Sequence, residues 1–416
     1  MTDSVVVIGA GVAGLAAARH LRHAGVRTTL IEAAPRMGGR AWTTGIGQDP
    51  FDHGASWLHD AERNPSVSLA IQDDRLRRSG DRDERVFIDG RPATPAETAA
   101  YHAAWDELDQ VVGPALNGPD TTLAAAMAPM AANPWARLVA QWEGAIIAAA
   151  DATDLGLRDW HRNRLDGTNM VAPAGIGAYI ARHLATPVRL NTPATRIIWS
   201  GPGVQVEAPE GTVQADAAII TVSTGVLAAN AIAFDPPLPH DVLTAIHNLP
   251  MGLLSKVALP ATGTGRLGLP DGALLVGQGA RMTFNAWHQA RAHITGFIGG
   301  RLAWDVAPDP RAAEALARSE LATLLGQDAL KSLAPAADIT DWGTNPLFRG
   351  AYAYAGPGNA QARATLAHAF PAQRLIFAGE APRTDGLAGT VAGAYLSGVE
   401  AAERLTTPSN PERASA

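Results

Sequence analysis

The feature that most constrains this chain is its opening stretch, residues 5–32. Residues 5–8 (VVVI) form a short apolar run, which predicts a buried parallel strand. The glycine-rich turn GAGVAG follows at once, residues 15–23 are rich in alanine and predict a helix, and residues 26–31 predict a second strand. A strand, a glycine-rich turn, a helix and a second strand ending on an acidic residue are typical of dinucleotide binding.

The residue types of this stretch suit the phosphates and ribose of a dinucleotide. Gly9 permits the tight turn, Gly11 lets the backbone approach a pyrophosphate, and Gly14 lets the helix pack closely on the strand. The helix N-terminus offers unpaired N–H groups to the phosphates. Glu32, at the end of the second strand, can accept hydrogen bonds from a ribose diol. The same predicted site includes their neighbours Val12, Ala13 and Ala33.

A second glycine-rich turn, RMGGR, follows a few residues later. Gly38 and Gly39 would let the backbone come close to a ligand, and Arg36 and Arg40 flank them with two fixed positive charges. Beside a pyrophosphate, guanidinium groups supply charge-assisted hydrogen bonds. On its own the turn would be interpreted as a solvated basic loop; following the first motif, it extends the predicted site.

Composition limits the remaining possibilities. A chain of 416 residues is long for one hydrophobic core, which favours two intertwined domains. Its net charge of -7 and the absence of Lys/Arg runs argue against a nucleic-acid partner. The chain has no cysteine, which excludes disulfides, thiolate metal ligands, cysteine nucleophiles and a flavin attached through sulfur. No metal site is predicted, and the oligomeric state is left open.

The distribution of apolar residues indicates a soluble protein. No stretch approaches the roughly 18 uninterrupted apolar residues of a transmembrane helix, so no membrane partner is expected. The first predicted strand begins within a few residues of the first methionine, which leaves no room for a cleaved leader. We therefore expect a cytoplasmic location.

The two glycine-rich turns together resemble the FAD-binding start of the flavin amine oxidase family, which comprises monoamine oxidases, polyamine oxidases and lysine-specific histone demethylases. Three further blocks resemble family motifs in the same order along the chain: DHGASWLH from residue 52, TVSTGVLAANAIAFDPPLP from residue 221, and LIFAGEAPRTDGLAGTVAGAYLSGVEAAE from residue 375. The first of these is most similar to polyamine oxidases. Because the blocks span the chain, the resemblance covers nearly all of it.

The resemblance implies an α/β fold, in which a Rossmann-like (glutathione-reductase-type) FAD-binding domain is intertwined with an α+β substrate-binding domain. The implied division assigns residues 1–85, 170–240 and 340–416 to the FAD-binding domain, and residues 86–169 and 241–339 to the substrate-binding domain. Residue patterns within these segments predict several helices over residues 94–160, a strand over 188–198 and an amphipathic helix over 310–333.

The resemblance also implies the cofactor, FAD, held non-covalently because Ala351 stands where monoamine oxidases carry a flavin-linking cysteine. Glu380 matches an acidic residue that contacts the ribityl chain, and Val391 lies beside the flavin's polar edge. Ala194 matches a position that binds adenine through its backbone. The remaining implied cofactor-binding residues are Gly54, Ala55, Ser56, Trp57, Trp342, Gly379 and Thr390.

Lys256 interrupts an apolar segment, LLSKVAL, that predicts a strand. A buried ammonium group is costly, and burial lowers its pKa. The alternative is a lysine on an edge strand that extends its ammonium group to water. By resemblance, Lys256 matches the family lysine that holds a water molecule against the flavin N5 atom, and this role is favoured.

The resemblance implies further residues on the substrate side. His59 matches a polyamine oxidase residue that lines the pocket and bonds the amine; the alternative is a structural histidine. An aromatic cage would depend on Tyr352 or Tyr354, and which of the two faces the flavin is left open. Thr390 stands where polyamine and monoamine oxidases commonly carry a cage tyrosine, and Ala392 replaces a nearby histidine, so the cage is incomplete.

These expectations describe an FAD-dependent amine oxidase, which converts a C–N bond of a polyamine or a related primary or secondary amine to an imine and reduces O2 to H2O2. The L-amino-acid oxidase branch of the same fold is a rival, but it places an arginine after the Gly-Ala pair where this chain has Ser56. A desaturase of the same fold is a third possibility, for which Lys256 is the main objection. A flavin-binding protein without turnover is a fourth.

Overall fold

The computed structural model describes residues 2–69, 76–80, 83–369 and 374–407. The strands are β1 (Ser4–Ile8), β2 (Arg27–Ile31), β3 (Thr43–Ile46), β4 (Asp49–Asp52), β5 (Arg77–Arg78), β6 (Asp83–Ile88), β7 (Arg91–Pro92), β8 (Met170–Val171), β9 (Arg196–Ile198), β10 (Val204–Ala208), β11 (Gly211–Ala215), β12 (Ala217–Ile220), β13 (Ala233–Asp235), β14 (Met251–Gly252), β15 (Leu254–Pro260), β16 (Ala273–Gly277), β17 (Thr283–Ala286), β18 (His293–Gly299), β19 (Asp338–Ile339), β20 (Tyr352–Ala353) and β21 (Leu375–Phe377).

The helices lie between groups of these strands along the chain. The α-helices are α1 (Val12–His23), α2 (Pro95–Ala115), α3 (Leu123–Ala126), α4 (Ala136–Gln141), α5 (Leu157–Arg162), α6 (Ile176–His183), α7 (Thr224–Ala228), α8 (His240–His247), α9 (Gly300–Val306), α10 (Pro310–Leu325), α11 (Ala362–His368) and α12 (Val391–Thr406). A π-helical segment, Trp142–Ala148, continues α4. Short 3₁₀ helices span Pro65–Leu69, Ala128–Ala132, His288–Ala290 and Gln327–Ser332.

A parallel four-stranded sheet, in the order β2-β1-β12-β21, forms the first layer. Its strands are short, and β1, β12 and β21 are largely apolar because both faces of the sheet are covered. On one face α1 packs against α12, and the two helices approach closely where a β-carbon on Gly398 would lie 2.1 Å from the carbonyl oxygen of Ala13. The opposite face shares a core with a second sheet, β11-β10-β9-β13, through Ile8, Ile197 and Val206.

A seven-stranded sheet, in the order β19-β15-β18-β17-β16-β6-β7, forms the second half of the molecule. Its pairs are antiparallel except for β16 with β6. The strands share one apolar core with α10, which includes Val257, Leu275 and Leu321. A second core joins Val86 and Val276 to helices α2–α5.

Two expected elements are shorter than predicted. The strand expected over residues 188–198 is present only as β9, and before it a single bridge pairs Arg189 with Ile31. The helix expected over residues 310–333 ends at Leu325, because Gly326 adopts a positive φ of 86° that ends α-helical geometry. A 3₁₀ helix follows it.

The division of the chain into five domain segments stays a prediction. β6 extends across the boundary placed between residues 85 and 86, and α8, which begins at the boundary near residue 240, packs into the core of the first two sheets through Val242 and Ile246. Parts of the assigned segments lie outside the described residues, namely residues 1, 70–75, 81–82, 370–373 and 408–416.

Two kinds of feature are not found in the part of the chain that the structure describes. None of its helices combines the length and apolarity needed to cross a membrane. It also contains no group of three or more His, Asp or Glu side chains arranged to hold a metal ion.

A buried ion pair joins α5 to α11. Arg363 donates to both carboxylate oxygens of Asp159, at 2.6 and 2.8 Å, and to the carbonyl oxygens of Ala353 and Ala381. The Ala355 amide donates to the same carboxylate. Both charged side chains are at most 3% exposed, so each depends on the other for compensation of its charge.

We predict that Asp159→Asn destabilises the protein by about 3–5 kcal/mol, because it leaves the Arg363 guanidinium buried without a counter-charge. The measurement is a urea denaturation curve. The control is Lys331→Met, which removes a fully solvated ion pair with Asp328 and should change the midpoint little. Equal shifts for the two variants would contradict the structural role given to the buried pair.

Candidate active site

One continuous cavity of about 840 Å³ runs from the ends of the parallel strands to the seven-stranded sheet. Its volume lies in the upper part of the range for ligand sites. The carboxyl ends of β1 and β2 open into it at one end, which is where open α/β sheets bind their ligands. β15, β17 and β18 contribute to the wall at the other end.

The two glycine-rich turns lie side by side at the first end of the cavity. Gly11 bridges to Gly38, and a β-carbon on Gly39 would meet the Gly11 α-carbon at 3.0 Å. A β-carbon on Gly14 would lie 1.8 Å from the carbonyl oxygen of Gly9, so α1 packs directly on the turn. Only glycine permits these approaches, and the result is a floor of exposed backbone that suits a pyrophosphate.

Glu32 stands at the end of β2 and lines the same part of the cavity. Its carboxylate accepts hydrogen bonds from the amides of Ala10, at 2.6 Å, and Ala34, at 2.8 Å. Each carboxylate oxygen has two acceptor sites, so both oxygens retain capacity for the hydroxyls of a ribose.

Arg40 and Glu380 also line the cavity and contact each other. Arg40 donates to Glu380 Oε1 at 2.9 Å and to the Ala351 carbonyl at 2.6 Å, and the Ala353 amide donates to the same Oε1. Glu380 is 6% exposed, and its Oε2 has no hydrogen-bond partner among the described residues. A buried acceptor of this kind is costly unless a ligand supplies a donor. This side chain therefore fits a hydroxyl-bearing cofactor such as FAD.

Arg36 and Gly14 are the two predicted cofactor residues that do not line the cavity. Arg36 donates to the Gly39 carbonyl at 2.8 Å, and its guanidinium lies 4.3 Å from the ring centre of Trp42. Burial lowers its pKa. Arg36 therefore stabilises the second turn through a hydrogen bond to its backbone, from outside the cavity. The wall includes the other predicted cofactor-binding residues, namely Gly9, Gly11, Val12, Ala13, Glu32, Ala33, Gly38, Gly39, Arg40, Gly54, Ala55, Ser56, Trp57, Ala194, Trp342, Gly379, Glu380, Thr390 and Val391.

Lys256 is buried on β15, which lies between β18 and β19, so it is not an edge-strand lysine extending to water. Its Nζ donates to the carbonyls of Asp52, at 2.7 Å, and Gly54, at 2.5 Å, and to Ser56 Oγ at 2.5 Å. Burial lowers the pKa of Lys256 to about 8, although the Asp52 carboxylate opposes the shift. Its ammonium is thus held beside the cavity with three acceptors from one segment.

Trp57 and His59 follow this segment and line the cavity. The Trp57 ring lies 5.4 Å from His288 and 6.4 Å from Phe297, measured between ring centres. His59 Nδ1 lies 2.8 Å from the side-chain oxygen of Asn169, which orients the imidazole. Both residues line the cavity, as expected of groups that contact a substrate.

The residues of the incomplete cage also line the cavity. Tyr352 donates to the Ile147 carbonyl at 3.0 Å, lies beside Gly389, and has its pKa raised by burial. Tyr354, by contrast, packs against the core that Val86 and Val276 form with helices α2–α5. The Thr390 hydroxyl caps α12, because it accepts from the Gly393 amide and donates to the Leu387 carbonyl. The Thr390 hydroxyl therefore both donates to and accepts from backbone groups of the protein itself.

Several wall residues were not anticipated from the sequence. Glu143, in the π-helical segment, accepts from Trp160 Nε1 at 2.8 Å, and burial raises its pKa. Thr283 and Asn285 lie on β17 and face the cavity. Their spacing of two residues along a strand is the only sequence signal for a shared face, and it does not reveal which face that is.

The chain is similar over nearly its whole length to curated polyamine oxidases. Polyamine oxidase 5 of Oryza sativa subsp. japonica is 32% identical over 439 residues, covering 96% of this chain and 87% of the relative. Polyamine oxidase 4 of the same plant is 30% identical, covering 96% of this chain and 88% of the relative. A putrescine oxidase solved with bound putrescine has a TM-score of 0.77 at 20% identity, covering 96% of this chain and 98% of that chain, and shares the fold.

Family models agree with these similarities. A model described as an NAD(P)-binding Rossmann-like domain matches residues 7–72, which contain both glycine-rich turns. A model described as flavin containing amine oxidoreductase matches residues 124–406. The predicted Rossmann-like α/β fold and the FAD cofactor are thereby confirmed. The chain belongs to the flavin-containing amine oxidoreductase family.

Proposed function

We propose that this protein is an FAD-dependent amine oxidase that acts on a polyamine or a related primary or secondary amine, yields an imine and passes electrons to O2, which becomes H2O2. The observation that carries the proposal is one continuous cavity lined by both glycine-rich turns, by the buried Lys256 and by aromatic side chains. The aromatic residues are Trp57, Phe297 and Tyr352. The polyamine oxidase relatives support the substrate class. The cytoplasmic location stays a prediction.

Different residues of the cavity wall would bind different parts of the cofactor. The Gly9 and Gly11 turn would take the pyrophosphate, Glu32 a ribose, and Glu380 the ribityl hydroxyls, with Ala194 at the adenine. When bound, FAD supplies an electron acceptor for the hydride that leaves the substrate carbon.

The pocket beyond the cofactor selects the protonation state of the amine. Only a neutral amine has a lone pair that can form the C=N bond of an iminium as hydride leaves the carbon, and loss of a proton from that nitrogen then gives the imine. Trp57, Phe297 and Tyr352 present largely apolar surface there, which penalises a charged ammonium at the reacting nitrogen. His59, whose Nδ1 contacts Asn169, would accept or donate a hydrogen bond at the amine.

Lys256 contributes a proton and a positive charge at the boundary between cofactor and substrate. With a pKa of about 8, its Nζ can hold or release a proton close to neutral pH. In the neutral state the Ser56 hydroxyl, 2.5 Å away, can donate to Nζ in return. The positive charge favours electron transfer to O2, on which negative charge develops.

We expect anaerobic addition of polyamines or alkylamines to the FAD-loaded protein to bleach the flavin's visible absorption, and air to restore the colour with release of peroxide. The panel should contain polyamines, aromatic amines and L-amino acids. Bleaching by amino acids alone would assign the protein to the L-amino-acid oxidase branch. No bleaching by any member of the panel would contradict the proposed activity.

We predict that Lys256→Met slows the reaction of the reduced protein with O2 by about 100-fold, and amine oxidation far less, because the charge and proton act in the oxygen step. Stopped-flow measurement of the two half-reactions separates the effects. The surface variant Lys331→Met serves as the control. Equal slowing of both half-reactions would remove Lys256 from this role.

We predict that Gly14→Ala abolishes FAD binding, because its β-carbon would lie 1.8 Å from the Gly9 carbonyl oxygen and displace the turn from α1. The matched control is Gly113→Ala within α2, where a β-carbon meets no atom within 4 Å. The measurement is the ratio of flavin to protein absorbance after purification. Retention of FAD by Gly14→Ala would show that the turn does not require this close packing.

A further inference from the structure

We propose that Thr283 and Asn285 form a second subsite, which binds the next nitrogen of a linear diamine or polyamine while its first nitrogen is oxidised. This inference rests on the proposed function and adds to it the residues that distinguish polyamines from monoamines. Both side chains line the cavity wall on β17.

The register of the seven-stranded sheet fixes where the subsite lies. Lys256 pairs with Phe297 on β18, and Phe297 pairs with Thr283 on β17. Directly paired residues share a face, so the three side chains lie in one row across the sheet. Two strand spacings separate Lys256 from Thr283, which is roughly 10 Å. Asn285, two residues further along β17, extends the row on the same face.

The oxygens of this pair are set up for a ligand. Thr283 is 1% exposed, and among the described residues neither its Oγ1 nor the Asn285 Oδ1 has a hydrogen-bond partner. Buried acceptors without partners cost free energy, which a ligand that donates hydrogen bonds would recover. An alkylammonium or secondary ammonium group donates two or three such bonds.

The surroundings favour a cation joined by an apolar chain. Phe297 lies between the lysine and the subsite, and Leu274 pairs with Asn285 on the far side. Beyond Leu274 the same face continues to Glu84, whose carboxylate lies 3.4 Å from His102 Nε2. The wall therefore alternates apolar and oxygen-bearing groups and ends on an acidic side chain. This order matches a chain of methylene groups interrupted by nitrogens, whereas Glu84 would repel a carboxylate substrate.

The test is steady-state kinetics of the FAD-loaded double variant Thr283→Val, Asn285→Leu, in which both replacements keep the side chains' approximate size. Substrates are linear diamines of increasing length and alkylamines of matching length. We expect KM for the diamines to rise by about 10-fold or more, with kcat changed by less than about 2-fold and monoamine KM unchanged. The matched control is Thr323→Val, an exposed threonine on α10.

A second variant tests the same subsite in the opposite direction. Asn285→Asp adds a negative charge and should lower KM for diamines while leaving that for alkylamines unchanged. Equal effects on diamines and alkylamines in both variants would overturn the subsite and leave the amine oxidase function intact. If the unaltered protein oxidises neither class of amine, the proposed function fails, and the subsite fails with it.

Discussion

The arrangement of the site depends on the contacts of one buried ammonium group. Lys256 extends from the seven-stranded sheet, yet its three donors bind the carbonyl of Asp52, which ends β4, and the Gly54 carbonyl and Ser56 hydroxyl in the segment that follows. Trp342 Nε1 holds the same segment through the His53 carbonyl at 2.9 Å. A buried ammonium is tolerated only where its donors are all paired. The lysine therefore links the seven-stranded sheet to the segment that carries Gly54 and Ser56.

Among the described residues, three buried polar atoms without a hydrogen-bond partner belong to side chains that line the cavity. They are Glu380 Oε2, Thr283 Oγ1 and Asn285 Oδ1. Folded proteins pair nearly all of their buried polar groups, so exceptions that face a cavity indicate what the ligand supplies. Here the expected ligands are a hydroxyl-rich dinucleotide at one end and an amine at the other, in line with the family to which the chain belongs.

Local sequence signals predicted the parts of the site that depend on local geometry. The spacing of Gly9 and Gly14 follows from the contact between turn and helix, and Lys256 was recognisable because it interrupts an apolar strand. The helix predicted over residues 310–333 was too long, because alanine and leucine recur at helical spacing on both sides of Gly326, where the helix ends. The sequence could not place Thr283 and Asn285 on the cavity wall, because their position there depends on the register of a sheet whose strands lie far apart in the chain. Thr390 matched a family position, but only the structure reveals that its hydroxyl caps α12.

The central claim is that the cavity holds FAD with its flavin ring between the Gly54–Trp57 segment, Lys256 and Tyr352. The most direct measurement is a crystal structure of the FAD-loaded protein. We predict electron density for an extended dinucleotide that begins at the Gly9–Gly14 turn and ends with the ring beside Lys256. A dinucleotide bound with its ring away from Lys256, or bound outside this cavity, would contradict the account.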